Sequence, residues 1–201
     1  MLKKTVGILT LFLLVFTGCS MYHLQTPQVV PQGKVAGGIG LAGITISDFP
    51  FAIPGFWVRA GVVPNLDIGV HSWGLGLKVD TKYSFSDWFA LGAGASLASF
   101  GVLIYGGEAS LYAGIPGKVL YPYGVARLSL TGASETITGD YNWAGISMFS
   151  SVLGLRLRLG EMFSLYGEGG IGVPLAIGSS AGSTTLDDPG FIFGLGVSVG
   201  N

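Results

Sequence analysis

The chain has 201 residues, 35 of them glycine, with 49% hydrophobic and only 10% charged side chains. That profile excludes an ordinary soluble enzyme domain, which carries about 25% charge, a disordered chain, which is far less apolar, and a collagen, whose glycine recurs with a strict period. The formal net charge of -1, from 10 basic and 11 acidic groups, offers no footprint for nucleic acid, and no nucleic-acid partner is expected.

At the N-terminus, Met1 to Lys4 is basic, Val6 to Phe16 is apolar, and Thr17 and Gly18 are small, the build of a secretory signal peptide over residues 1–18. The stretch Phe16, Thr17, Gly18, Cys19 resembles the lipobox of bacterial lipoproteins. The resemblance implies that Cys19 is acylated with a palmitate-type chain and begins the mature protein. It also implies that Ser20 lets the lipoprotein-sorting machinery pass the chain to an outer membrane. The alternative is ordinary signal cleavage beside Cys19. Cys19 is the single cysteine, so an internal disulfide is excluded. Residues 19–32 read as a lipidated N-terminus and tether, extended over Met21 to Gln32 by Pro27 and Pro31 and without net charge. Residues 33–201 form the remaining domain.

Mean hydropathy is +0.62, yet past the signal no run approaches the roughly 18 apolar residues of a spanning helix. Only helices and closed barrels satisfy every backbone polar group in lipid, so the chain predicts an all-β, closed, up-and-down antiparallel transmembrane barrel. Ten strands are expected, near 34–46, 55–63, 66–72, 75–85, 88–99, 105–114, 119–130, 144–159, 162–173 and 190–200, with eight as the alternative count. Tight connections fall at Pro64-Asn65, Ser86-Asp87, Ile115 to Lys118 and Gly160-Glu161. The other end carries Ser47 to Pro54, a brief turn near Trp73, the stretch around Gly101 to Ile104, Thr131 to Trp143 and Pro174 to Pro189.

Side chains alternate between the faces of a strand, and lipid tolerates no charge at its midplane, so every strand charge belongs on one face. The eighth strand sets Leu153, Leu155, Leu157 and Leu159 against Arg156 and Arg158, and the fourth sets Leu77, Val79, Tyr83 and Phe85 against Lys78, Asp80 and Lys82. The same parity turns Arg59, Asp67, His71, Glu108, Arg127 and Glu168 inward, with Lys34 at the rim. A soluble lipocalin-like barrel has the opposite polarity. Tyr83, Phe85, Trp88, Phe89, Tyr121 and Phe163 by the short turns, and Phe49, Phe51, Phe56, Trp73, Phe100, Tyr141, Trp143 and Phe149 by the long loops, are expected to form interfacial girdles.

The stretch WVRAGVVPNLDIGV (Trp57 to Val70), with GLGLKVDTKYSF (Gly74 to Phe85) and FALGAGASL (Phe89 to Leu97), resembles the small bacterial outer-membrane β-barrel families. The resemblance implies an outer-membrane location, contact with outer-membrane lipid and insertion by the barrel-assembly machinery, and it specifies fold rather than activity. Gly194, Val197 and Val199 keep the spacing of the assembly signal, although the chain ends in Asn201 where many such barrels end in an aromatic residue.

The expected lumen carries Arg59, Asp67, Lys78, Asp80, Lys82, Glu108, Arg127, Arg156, Arg158 and Glu168, which can pair as a structural network because buried charge is costly alone. Its excess of base would equally line a narrow, weakly anion-preferring pore, with room left by small inward residues such as Gly92, Gly94, Gly194 and Gly196. Pro122 and Gly124 mark a weak seam in the seventh strand, the only hint of a lipid-handling lateral opening. No catalytic set is expected: His71 and Ser72 point to opposite faces, although Asp187 and Asp188 are candidates to meet His71 at the rim of a lipid-modifying or proteolytic barrel. No cofactor or transition metal is expected, since His23 and His71 are isolated. The acidic loop residues Asp48, Glu135, Asp140, Asp187 and Asp188 read as solvated, with a bridging divalent cation as the alternative. The pattern Gly38, Gly40, Gly43 is a chance GxGxxG match without a following helix. Two functions stand: a lipid-anchored barrel of structural or interaction type whose loops meet an unidentified partner, and a small-solute pore.

Overall fold

A computed structural model describes residues 24–46, 49–73, 76–99, 103–135, 142–179, 182–184 and 189–200. The signal peptide, Cys19, Ser20, His23, and the loop residues Asp48, Phe100, Asp140, Tyr141, Asp187 and Asp188 lie outside the described residues. So do the side chains of Phe49, Phe51, Glu135 and Trp143.

The strands are β1 (Val35–Ile46), β2 (Phe49–Val63), β3 (Leu66–Trp73), β4 (Gly76–Ser86), β5 (Phe89–Ser99), β6 (Leu103–Gly114), β7 (Leu120–Glu135), β8 (Asn142–Leu159), β9 (Phe163–Ser179), β10 (Gly182–Thr184) and β11 (Gly190–Val199). Sequential antiparallel pairing runs from β1 to β9, β9 pairs β11, and β11 pairs β1, so the sheet closes as a ten-strand barrel. The three-residue β10 only extends the hairpin at the far end of β9. Both ends of the barrel chain and the short turns share one end, here the turn end; the opposite one is the loop end. At the turn end Asn65 adopts φ 65° in the two-residue Pro64-Asn65 connection and Gly160 adopts φ 75° after β8, backbone that favours Asn and Gly.

Three stretches expected as loops are strand. Phe49 to Pro54 pairs with β1 in unbroken register. Pro50 and Pro54 are tolerated there because β3 ends opposite Gly55, which leaves the second edge of that stretch without a partner in the ladder. Thr131 to Glu135 stays paired with β8 to Asn142, since Ser and Thr fit a ladder as readily as a loop. β9 runs through Pro174 to Ser179, with a bulge opposite Ser147 and Met148 that absorbs the proline. The seam expected at Pro122 is absent: Pro122 faces Leu155 in continuous register, and its carbonyl accepts from Ile115 N–H. The wall is therefore uneven, 8 residues tall at β3 and 18 at β8.

Alternation divides the faces cleanly. β4 alternates buried and exposed along nearly its whole length, with Leu77, Val79, Tyr83 and Phe85 outward and Lys78, Asp80 and Lys82 inward. Two expected girdle aromatics lie inside instead: Tyr121 is 1% exposed and Trp73 3%, because both occupy inward parity positions. Tyr83, Phe85, Trp88, Phe89 and Phe163 remain outward at the turn end, where Tyr83 meets Phe85 edge-on at 5.1 Å.

Candidate functional site

The core of this protein is its lumen, and the expected tether is part of it. From Leu24 onward the chain runs inside the barrel toward the turn end: Leu24, Gln25, Thr26, Pro27 and Val30 are buried. It leaves at Gln32, which bridges to Gly61 in parallel sense. The course is set by space and polarity together. The side chain of Leu24 occupies the room left by Gly194 and Gly196 on β11, and a Cβ on Gly61 would strike the carbonyls of Val30 and Pro31. The buried polar groups of the segment find partners on the wall. Lys82 Nζ donates to the carbonyls of Thr26 and Gln28 at 2.9 and 2.8 Å. Val30 N–H donates to Asp67 Oδ2 at 2.8 Å, and Arg156 Nη2 donates to Gln28 Oε1 at 2.6 Å. A tether in water would need none of these bonds; a segment in a lumen needs nearly all of them. Trp57, Tyr112, Tyr121, Tyr123 and Tyr166 pack around Leu24 and Val30.

Above the segment lies a continuous ion-paired tier. Arg59 reaches Asp67 and Asp80, both at 2.5 Å. Asp80 also meets His71 Nε2 at 3.0 Å and Lys78 at 3.6 Å, and Lys78 passes to Glu108 at 2.5 Å, which meets Arg127 at 3.2 Å. Register explains how charges on non-adjacent strands touch. Arg59, Gly69, Asp80, Gly94 and Glu108 are successive partners across β2 to β6. Gly69 leaves the gap over which Arg59 and Asp80 meet, and a Cβ there would collide with the Arg59 guanidinium and the Asp80 carboxylate; Gly94 leaves room for Asp80 and the Lys78 stem that links Asp80 to Glu108.

Toward the loop end the lining turns apolar. Trp73, Ala98, Ile104, Ala133 and Ala144 form one buried row, and Ile44, Met148, Val152 and Ile192 another.

Of the expected lumen charges, Arg59, Asp67, Lys78, Asp80, Glu108 and Arg127 meet in this tier, and Lys82 approaches Asp67 only to 3.9 Å. Glu168 stands apart, accepting from Tyr123 OH at 2.6 Å. Arg156 and Arg158 make no ion pair among the described residues; Arg156 lies over the Tyr121 ring at 4.9 Å instead. Lys34 is exposed at the rim. His71 Nε2 is also 3.1 Å from Gln25 Nε2, while Ser72 pairs opposite Phe56 and Leu77 on the lipid-facing parity, so the two do not share a reacting atom. Sequence reasoning missed Leu24, Gln25, Thr26, Gln28 and Val30. Their signal was an uncharged, amide-bearing stretch directly before a wall whose inward positions are unusually small.

No protein-family model and no curated protein matches the chain. Among solved structures, the N-terminal β-barrel domain of Pseudomonas aeruginosa OprF is 13% identical, with TM-score 0.39 over 83% of this chain and 97% of that one. Neisserial surface protein A is 17% identical, with TM-score 0.41 over 83% and 95%. The outer membrane protease OmpT from Escherichia coli is 8% identical, with TM-score 0.42 over 89% and 98%. Likeness at this level carries no activity to this chain.

Proposed function

We propose that the chain is an outer-membrane β-barrel of structural or interaction type, lipid-anchored at Cys19, whose lumen is closed by its own residues 24–32. The observation that carries this reading is the seating of that segment under a fully paired charge tier. Leu24, Asp67, His71, Lys78 and Arg127 are each no more than 1% exposed, which supports a lumen filled at mid-height by the described residues. The membrane assignment rests on the outward face, where Ile39, Phe56, Val79, Leu97, Leu130, Leu153 and Leu195 are exposed in a continuous apolar band, an aggregation hazard in water and the requirement in lipid. The turn end then faces the periplasm.

The segment also bears on where a lipid on Cys19 can sit. Five residues to Leu24 extend at most about 18 Å, and from Gly196, beside Leu24, to Gly200 at the rim is about 13 Å along the strand. Five residues are thus long enough to carry an acylated Cys19 from Leu24 to the turn-end rim.

The test is conductance of the refolded mature chain in a planar bilayer, with heat-modifiable gel mobility as the folding control. A folded barrel passing no steady current is expected. Reproducible unitary conductance would overturn the closed lumen and favour the pore.

A further inference from the structure

We infer that the turn-end mouth of the lumen is an anion-binding site, taking a small phosphate-bearing ligand from the periplasmic side; only that sidedness rests on the membrane reading above. Between the N-terminal segment and the wall lies a cavity of about 410 Å3 whose lining includes Lys82, Arg156, Arg158, Ser164, Tyr166 and Ser198. Three cations thus converge on one open space. Arg59, at its inner end, is already neutralised by Asp67 and Asp80. Arg156 and Arg158 are not: no carboxylate among the described residues comes within ion-pair distance of either, and the Nε of each is buried without an acceptor. Arg156 is only 8% exposed, and its partners Gln28 and Thr26 are neutral, so they orient the guanidinium without offsetting its charge. Lys82 is held by two carbonyls, equally neutral. Its nearest carboxylate, Asp67, is committed to Arg59 and the Val30 N–H. The one carboxylate-bearing residue among the described lining is Asp87, exposed at the rim, whose carbonyl accepts from Tyr121 OH.

Two guanidinium groups in a narrow mouth with no carboxylate among the described residues to pair them, beside a lysine whose nearest carboxylate stands at 3.9 Å, leave a demand for an anion. The surrounding donors specify which kind. Arg158 is the register partner of Ser164, and Ser164 of Ser198, so two serines share one inward row with it, and all three line the cavity. Tyr166 OH lies 3.4 Å from Ser198 Oγ. Two planar guanidinium forks, an ammonium and a row of hydroxyls offer more donors than a carboxylate's two oxygens accept, and suit the three or four oxygens of a phosphate group. That group can arrive on a free phosphate compound in the periplasm or on the headgroup of a phospholipid in the adjoining leaflet.

The experiment is calorimetric titration of the refolded mature chain in micelles of an uncharged detergent, at constant ionic strength set with sodium chloride. Inorganic phosphate and, separately, short-chain phosphatidylglycerol below its micellar concentration serve as probes. Arg158→Gln is the decisive variant, because Arg158 makes no described bond to the N-terminal segment and its loss leaves the plug in place. Lys118→Gln, an exposed cation in the β6–β7 turn outside the cavity, is the control. Saturable binding weakened at least tenfold in Arg158→Gln and unchanged in Lys118→Gln is expected. Binding of inorganic phosphate supports a free ligand, and binding of the lipid probe alone supports a headgroup. Absence of saturable binding with both probes, or equal binding in Arg158→Gln, overturns the site whether or not the barrel conducts.

Discussion

Asp80 is the residue on which the charge tier converges, touching Arg59, His71 and Lys78 at once. Replacing it with Asn keeps the shape and strands buried cations, so Asp80→Asn is expected to destabilise the barrel by about 3–5 kcal/mol. Urea unfolding in micelles, followed by tryptophan fluorescence, reads this directly; a change below about 1 kcal/mol would show that the cations are neutralised by other means. The inward direction of Asp80 was legible, because parity is a one-dimensional property and its neighbours Val79 and Thr81 fix it. Its partners were not. Lys78 meets Glu108 across β5 and Arg59 meets Asp80 across β3, contacts that depend on strand stagger and, for the second, on Gly69 standing between the pair.

At the scale of elements, the stretch from Leu24 to Gln32 shows where composition misleads. Uncharged residues with two prolines describe a solvated tether and a lumen-filling segment equally well; the two differ only in whether a wall supplies the hydrogen bonds. In a Cys19→Ala background, Thr26→Cys is expected to resist a membrane-impermeant maleimide in the folded barrel, whereas Gln32→Cys, exposed at the rim, is labelled promptly. Equal labelling of the two would mean that the segment spends its time outside. Strand extent was misread for a related reason. Pro50, Pro54 and Pro174 carry breaker signals, yet two lie where an edge is unpaired and one at a bulge, circumstances a linear sequence does not display.

For the whole molecule, the closed antiparallel barrel and its count of ten were readable because the apolar faces of β4, β8 and β11 alternate without interruption. Lipid exposure is testable at Leu153, 75% exposed on the tallest strand. Leu153→Arg is expected to cost about 2–4 kcal/mol in a bilayer, whereas the same change on a water-facing wall would stay within about 0.5 kcal/mol. Chemical unfolding in vesicles separates the two. One consequence of the lumen-filling segment concerns how the ring is completed. The segment immediately precedes β1, and Leu24 rests against Gly194 and Gly196 of β11, the strand that β1 must find to join the two ends of the sheet. A ring joined with the segment left outside would enclose Lys82 and Arg156 without their carbonyl and amide partners, a mispaired state at a clear disadvantage. Joining the first strand to the last and seating the segment in the lumen therefore favour one another in free energy.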